Sequence, residues 1–279
     1  MRFCLFCALL PVVAAQQAQN PSPMVEHSRA HRRLNEQHPA GRRERLDLGT
    51  LFVPAGVPIS RRLPILFFFH GGAWVPEVAA ARNHLAVVSV QAGNGSGSYA
   101  RLFQDPHRFA TLLREAESKL GVRFRRVLLG GWSAGCGAIR AILQTPESYR
   151  RVDGVLLIDG MHTDYLEGAP GPLESKIDPD PLRIWLQLGR DAMAQRKRVL
   201  VTHSEIFPGT FASTTETADY LVTQLKLSER PVLKWGPMGL QQLSEARAGK
   251  FLLIGYAGNS APDHVDQLHA LPEFLKWIK

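Results

Sequence analysis

The sequence predicts an α/β architecture, a mostly parallel central sheet flanked by helices, on the strength of two patterns. Short apolar runs alternate along the chain with segments of helical period, and four of the runs are apolar on successive residues, as in strands covered on both faces. The strand candidates are 64–69, 85–90, 126–129, 155–158, 198–202 and 251–255. Between them, 106–120, 135–144, 214–225 and 268–278 read as helices; in the first, Phe109, Leu112, Leu113, Ala116 and Leu120 fall on one face. Strand, helix, strand in series implies right-handed crossovers, which lay parallel strands side by side.

The 279 residues carry 45% hydrophobic and 21% charged residues, which places the chain among globular proteins rather than disordered or fibrous ones. Lys plus Arg outnumber Asp plus Glu by 33 to 25, but the basic residues are interspersed with acids. No basic tract or nucleic-acid motif accompanies them, so no nucleic-acid partner is expected.

Residues 1–15 read as a signal peptide. Arg2 supplies the positive charge, an apolar run follows from Phe3, and Val13, Ala14 and Ala15 close it with small residues. The run is too short to span a bilayer, so no stable membrane insertion is expected after processing, and the compartment is secreted or periplasmic. Cys4 and Cys7 fall within this segment, which leaves Cys136 alone in the processed chain, with no intrachain disulfide possible. Residues 16–45 are polar, rich in Gln, Pro, His and Arg, and read as a mobile or loosely docked arm. The domain proper is 46–279, with an insertion over one end of the sheet at about 160–197, where Gly168, Pro170, Gly171, Pro172, Pro179 and Pro181 interrupt the rhythm. Asn94 to Ser98 reads as a flexible loop near the rim of a site.

The chemistry is concentrated where the apolar run 126–129 leads into Gly131-Trp132-Ser133-Ala134-Gly135 with a helix directly after. Strand, sharp turn and helix are the setting a G-x-S-x-G elbow requires, with Ser133 at its crest as nucleophile. The flanking glycines are needed because side chains there would strike the neighbouring strand and helix. The hydroxyl then stands at a helix N-terminus, where N–H groups favour developing negative charge. Upstream, 64–69 ends in His70-Gly71-Gly72-Ala73-Trp74, whose small residues let backbone N–H groups approach an oxyanion unobstructed. The oxyanion hole is assigned to the N–H of Ala134 with that of Gly72 or Ala73. Trp74, Trp132 and Met161 are expected close to the serine.

Through HGGAW at 70–74 and GGWSAG at 130–135, in that order, the chain resembles the α/β-hydrolase family over roughly residues 45–279. The resemblance implies an eight-strand type of sheet, possibly short of an N-terminal strand or two, and a triad in the order Ser, acid, His. Ala73 departs from the HGGG form of many lipases and esterases, which leaves the oxyanion donor open between Gly72 and Ala73. A serine hydroxyl needs a base to take its proton and a third group to hold that base. Of His162, His203, His264 and His269, the resemblance points to His264, after the last apolar strand. Position within the family favours Glu205 as the acid, since it follows the later strand. Asp159 terminates the fully apolar 155–158 run beside the serine's strand and resembles the acid of hydrolases that use the earlier site. Asp159 is chosen, with Glu205 the alternative. No ligand cluster such as H-E-x-x-H is present, so neither metal nor cofactor is expected.

The expected function is that of a secreted serine hydrolase cleaving an ester, or less readily an amide, through an acyl-enzyme, acting on a small-molecule ester or acyl substrate. The alternatives are a non-catalytic binding protein on the same scaffold and an exported serine peptidase.

Overall fold

In a computed structural model, residues 30–166 and 176–279 are described. The expected signal peptide at 1–15 and residues 16–29 of the arm lie outside those residues.

The described residues form a ten-stranded sheet in the order β1-β2-β4-β3-β5-β6-β7-β10-β9-β8. Its strands are β1 (Gly41–Arg45), β2 (Thr50–Pro54), β3 (Ile65–Phe69), β4 (Ala86–Val90), β5 (Val127–Trp132), β6 (Gly154–Ile158), β7 (Arg198–Ser204), β8 (Glu229–Trp235), β9 (Gln241–Ala248) and β10 (Phe251–Tyr256). The helices are α1 (Trp74–Asn83), α2 (Ser96–Leu102), α3 (Arg108–Leu120), α4 (Cys136–Leu143), α5 (Pro146–Arg151), α6 (Arg183–Met193), α7 (Thr214–Leu225), α8 (Ala261–His269) and α9 (Leu271–Ile278). β3 to β7 and β10 run parallel, β2 is antiparallel to β4, and β8 and β9 form an antiparallel extension beyond β10. Strands β1 to β7 and β10 make up the α/β-hydrolase sheet. Among the described residues no helix is long and apolar enough to cross a membrane.

The unbroken apolar runs arise because the sheet has a core on each face. Along β3, Ile65, Phe67 and Phe69 pack with α3, α4, α6 and α7, whereas Leu66 and Phe68 face α1, α8 and α9. Phe67 meets the edge of Phe109 on α3 at 5.1 Å between ring centres. Burying either side of such a strand removes the polar positions that would otherwise alternate with the apolar ones.

Several expectations need correction. The sheet is not short at its N-terminal end. Residues 41–45, read as the end of the arm, form β1 and pair with β2 from Gly41 opposite Pro54 to Arg45 opposite Thr50. The strand is polar because its side chains are largely exposed, although the Arg43 guanidinium lies over Phe52 and pairs with Glu77. Much of 160–197 is not an insertion, since α6 is the crossover helix between β6 and β7 and buries Trp185, Leu186, Leu188 and Ala192. Of the residues behind the proline- and glycine-rich signal, Gly168, Pro170, Gly171 and Pro172 lie outside the described residues, and Pro179 and Pro181 belong to the short 3-10 turn that leads into α6. Ser96 to Ser98 open α2 rather than a flexible loop, and Gly137 of α4 admits them because a Cβ there would collide with the Ser96 carbonyl. The terminal helix is two helices, α8 and α9, and His264 lies within α8 rather than ahead of it.

Candidate active site

β5 delivers Ser133 to the carboxyl edge of the sheet. There the backbone turns into a 3-10 turn over Ser133–Gly135 and then into α4. Ser133 has φ 51°, a left-handed conformation that a β-carbon disfavours. A close fit on both sides holds it there. A Cβ on Gly131 would lie 2.8 Å from the Gly135 carbonyl carbon, and one on Gly135 would collide with the Phe69 carbonyl of β3. Gly160 is a third glycine of the elbow, one that the motif does not announce. A Cβ there would collide with the Ser133 carbonyl oxygen and lie 2.7 Å from the Ser133 Cα.

Asp159 leaves the end of β6, the strand next to β5, also at positive φ (42°). Its carboxylate is buried and receives four hydrogen bonds. The Ser204 N–H (3.0 Å) and Thr214 hydroxyl (2.6 Å) donate to Oδ1, and the Ser204 hydroxyl (2.8 Å) and His264 Nδ1 (2.7 Å) donate to Oδ2. Burial pushes the carboxyl's pKa up, but the bond and charge of His264, with the Thr214 and Ser204 hydroxyls, outweigh it and hold the group below the ordinary carboxylate value. A carboxylate that accepts at both oxygens makes Nδ1 of His264 the donor, which leaves Nε2 free to accept a proton.

His264 is set by the start of α8. Ser260 and Asp263 form a reciprocal capping box, and Pro262 follows in the first turn. The imidazole also packs on Trp132, the residue before the serine, with ring centres 4.6 Å apart, and the Trp132 indole N–H donates to the His264 carbonyl at 3.0 Å. Trp132 is backed in turn by His70, stacked at 5.0 Å and 13°, whose Nδ1 lies 3.0 Å from the hydroxyl of buried Tyr99. Sequence reasoning placed Trp132 near the serine without predicting this stack. Trp74 instead meets His269, and Met161 is buried in the core cluster on the α3, α4 side.

Ser133, Asp159 and His264 line one cavity of about 260 Å³ together with His162, Ile206, Pro208, Phe211, Thr214 and Ala261. Glu205, the alternative acid, is exposed, and its carboxylate accepts from the Gly258 N–H at 3.3 Å. Phe69 lies opposite Gly131, so the His70–Ala73 loop and the elbow leave the sheet side by side. Among the described residues nothing accepts a hydrogen bond from the Gly72 or Ala73 N–H, while Ala134 follows the serine directly in the 3-10 turn. Ser204 and Thr214, which sequence reasoning missed, are small polar residues at a strand end and a helix start, positions where hydroxyls are common for capping alone.

His269 packs within the protein, its Nδ1 accepting from the Leu34 N–H at 3.1 Å. Cys136 is buried at the start of α4, and burial pushes its thiol pKa far up, which keeps it protonated. The described residues with metal-ligand spacing are His31, Asp263 and Asp266, with ligand atoms within 4.8 Å of one another. The Arg33 guanidinium donates to Asp266 at 3.0 Å, so a cation there would meet a positive charge already in place.

No protein-family model and no curated protein matches the chain. Among solved structures, a feruloyl esterase module from Clostridium thermocellum is similar at a TM-score of 0.49 and 15% identity, over 89% of this chain and 95% of that one. Esterase 2 of Thermogutta terrifontis gives 0.48 and 16%, over 86% and 95%. Acetyl xylan esterase from Aspergillus awamori gives 0.47 and 15%, over 81% and 93%. The α/β-hydrolase fold rests on this chain's own strand order.

Proposed function

We propose that the protein is a serine hydrolase that cleaves a carboxylic ester through an acyl-enzyme. Ser133 Oγ attacks the ester carbonyl as His264 Nε2 takes its proton. The tetrahedral oxyanion is held by the N–H of Ala134 with that of Gly72 or Ala73. The imidazolium then passes its proton to the departing alkoxide, and water, deprotonated by the same nitrogen, releases the acid and restores Ser133. Asp159 keeps the proton on Nδ1 and stabilises the imidazolium. The observation that carries the reading is the 2.7 Å bond from His264 Nδ1 to a buried carboxylate, on the wall of the cavity that Ser133 also lines. Ile206, Pro208 and Phe211 give that cavity an apolar side suited to an acyl chain. Export through residues 1–15 belongs to the same proposal.

A fluorophosphonate probe tests the chemistry. Stoichiometric labelling of the wild type, lost in Ser133→Ala together with p-nitrophenyl butyrate turnover, is the expected outcome. An unlabelled wild type of native melting behaviour would instead support a binding protein. Faster turnover of aminoacyl anilides than of p-nitrophenyl esters would make it a peptidase.

A further inference from the structure

A further space adjoins the cavity at Ser133 at His162 and Phe211. The same two side chains line a second cavity of about 190 Å³, whose other walls are Ser96, Arg140, Thr163, Asp164 and Pro181. Arg140 lies one helical turn after Cys136, on the face of α4 that turns toward Gly160 and His162. It is half-buried and makes no hydrogen bond or ion pair with any described residue, although much more exposed arginines such as Arg183 and Arg196 are paired. Beside it, Nδ1 of His162 is buried without a partner among the described residues. Burial pushes the His162 ring down to about 4, so it is neutral at ordinary pH and available as a hydrogen-bonding group rather than a second positive charge. Asp164 at the same cavity is exposed, and water screens its charge more than that of half-buried Arg140.

A guanidinium taken partly out of water, with no acceptor among the described residues, is costly, and the ligand that satisfies it best is a carboxylate, which takes two parallel N–H bonds. We propose that Arg140 receives a carboxylate carried by the substrate, so that the esters preferred at Ser133 are monoanionic. This rests on the serine hydrolase reading and adds the substrate class to it. Whether the carboxylate belongs to the acyl or the alcohol half is decided by which half lies toward His162 and Phe211.

Two matched pairs of esters test it. In the acyl arm, mono-p-nitrophenyl glutarate is compared with p-nitrophenyl valerate; in the alcohol arm, 4-(carboxymethyl)phenyl butyrate with 4-ethylphenyl butyrate. In one arm the wild type should favour the anionic ester in kcat/KM by about tenfold or more, chiefly through KM, as for one charge-assisted pair. Arg140→Gln should bring that ratio to about one, and Arg140→Lys should keep part of it. Ratios at or below one in both arms of the wild type, or a ratio that survives Arg140→Gln with a native melting temperature, overturn the proposal while leaving the hydrolase reading intact. Should neither ester of a pair be turned over, the hydrolase reading fails instead. Calorimetric titration of Ser133→Ala with monoethyl glutarate and ethyl valerate then reads the preference as a Kd ratio, and equal affinities overturn it. If Arg140→Gln does not fold, weakening of the wild-type preference in 0.5 M NaCl takes its place, and a salt-independent ratio counts against Arg140.

Discussion

Replacing Asp159 by Asn separates the electrostatic role proposed for this residue from its packing, and the hydrogen bonds around it fix the outcome. Oδ1 accepts from the Ser204 backbone N–H and Oδ2 from His264. An Asn amide turned toward Ser204 would set its NH2 against a main-chain donor that cannot reverse, leaving a buried donor unsatisfied at a cost of about 1–3 kcal/mol. The NH2 therefore turns toward His264, where the Ser204 hydroxyl can rotate to accept and the imidazole can change tautomer. That change moves the ring proton to Nε2, the atom that must take the proton of Ser133. The same substitution in a serine-protease triad lowers kcat about 10⁴-fold through the wrong tautomer, equivalent to about 5.4 kcal/mol of barrier. We expect a loss of that order in kcat for p-nitrophenyl butyrate at neutral pH, with the melting temperature falling by only a few degrees. Glu205→Gln should stay within about threefold of wild type, since its amide oxygen can still accept from the Gly258 N–H. An Asp159→Asn enzyme within tenfold of wild type, or a Glu205→Gln loss as large as that of Asp159→Asn, would refute the assignment.

Trp132→Phe keeps a ring against His264 but removes the indole N–H bond to its carbonyl, so kcat should fall several-fold; Trp132→Ala removes both and should cost about 10²-fold, read in kcat with KM little changed. Gly160→Ala places a methyl group against the Ser133 backbone and should lower both fluorophosphonate labelling rate and melting temperature, whereas Gly95→Ala, where a Cβ would meet nothing within 4 Å and the backbone is extended, should leave labelling unchanged. His162 is held neutral with its pKa lowered to about 4, below the ordinary 6.5 of an unfolded chain. Its contribution to stability is complete above about pH 6.5 and is lost as pH falls toward 4, because the unfolded state takes up the proton first. Urea titrations should show stability declining across that interval by an amount on the order of 2 kcal/mol, and His162→Gln should flatten the decline.

What could be read in the sequence was what burial enforces. The strands from β3 to β7 and β10 announce themselves because both faces are covered, and the elbow does so because sterics force glycine at 131 and 135. α1 escaped notice for the same reason that the strands did not. It buries Val75, Pro76, Glu77, Val78, Ala79 and Ala80 nearly all round, so no one-sided stripe marks it. β8 failed in the opposite way: its residues are mostly exposed and include Pro231, so neither alternation nor an apolar run signals a strand. At the site, the candidates Ser133, Asp159 and His264, which line one cavity, could be singled out from motif and resemblance, but the residues packed around them could not. The bonds from Ser204 and Thr214 join residues 45 and 55 positions away from Asp159, and the Trp132 stack joins positions far apart in the chain. Nothing local in the sequence records such pairings.

The two carboxylates weighed as the acid, of which position favours Glu205, both bear on the same histidine, by different routes. Asp159 ends the strand next to the serine's own, and its short side chain meets the imidazole directly. Glu205 ends β7, one strand further from β5, and grips the loop ahead of α8. Its backbone N–H donates to the Gly258 carbonyl at 3.0 Å, while its carboxylate accepts from the Gly258 N–H. Gly258 is held at φ 127°, and a Cβ there would lie 2.6 Å from the Asp263 Cβ, so only glycine lets the loop close onto the cap of α8. Glu205 is therefore a positioning residue for the helix that carries His264. Crowding that loop against Asp263, as in Gly258→Ala, should displace the imidazole from Asp159 with both side chains intact. Because the site depends on a bond only 2.7 Å long, such a displacement should lower kcat more than it alters substrate binding.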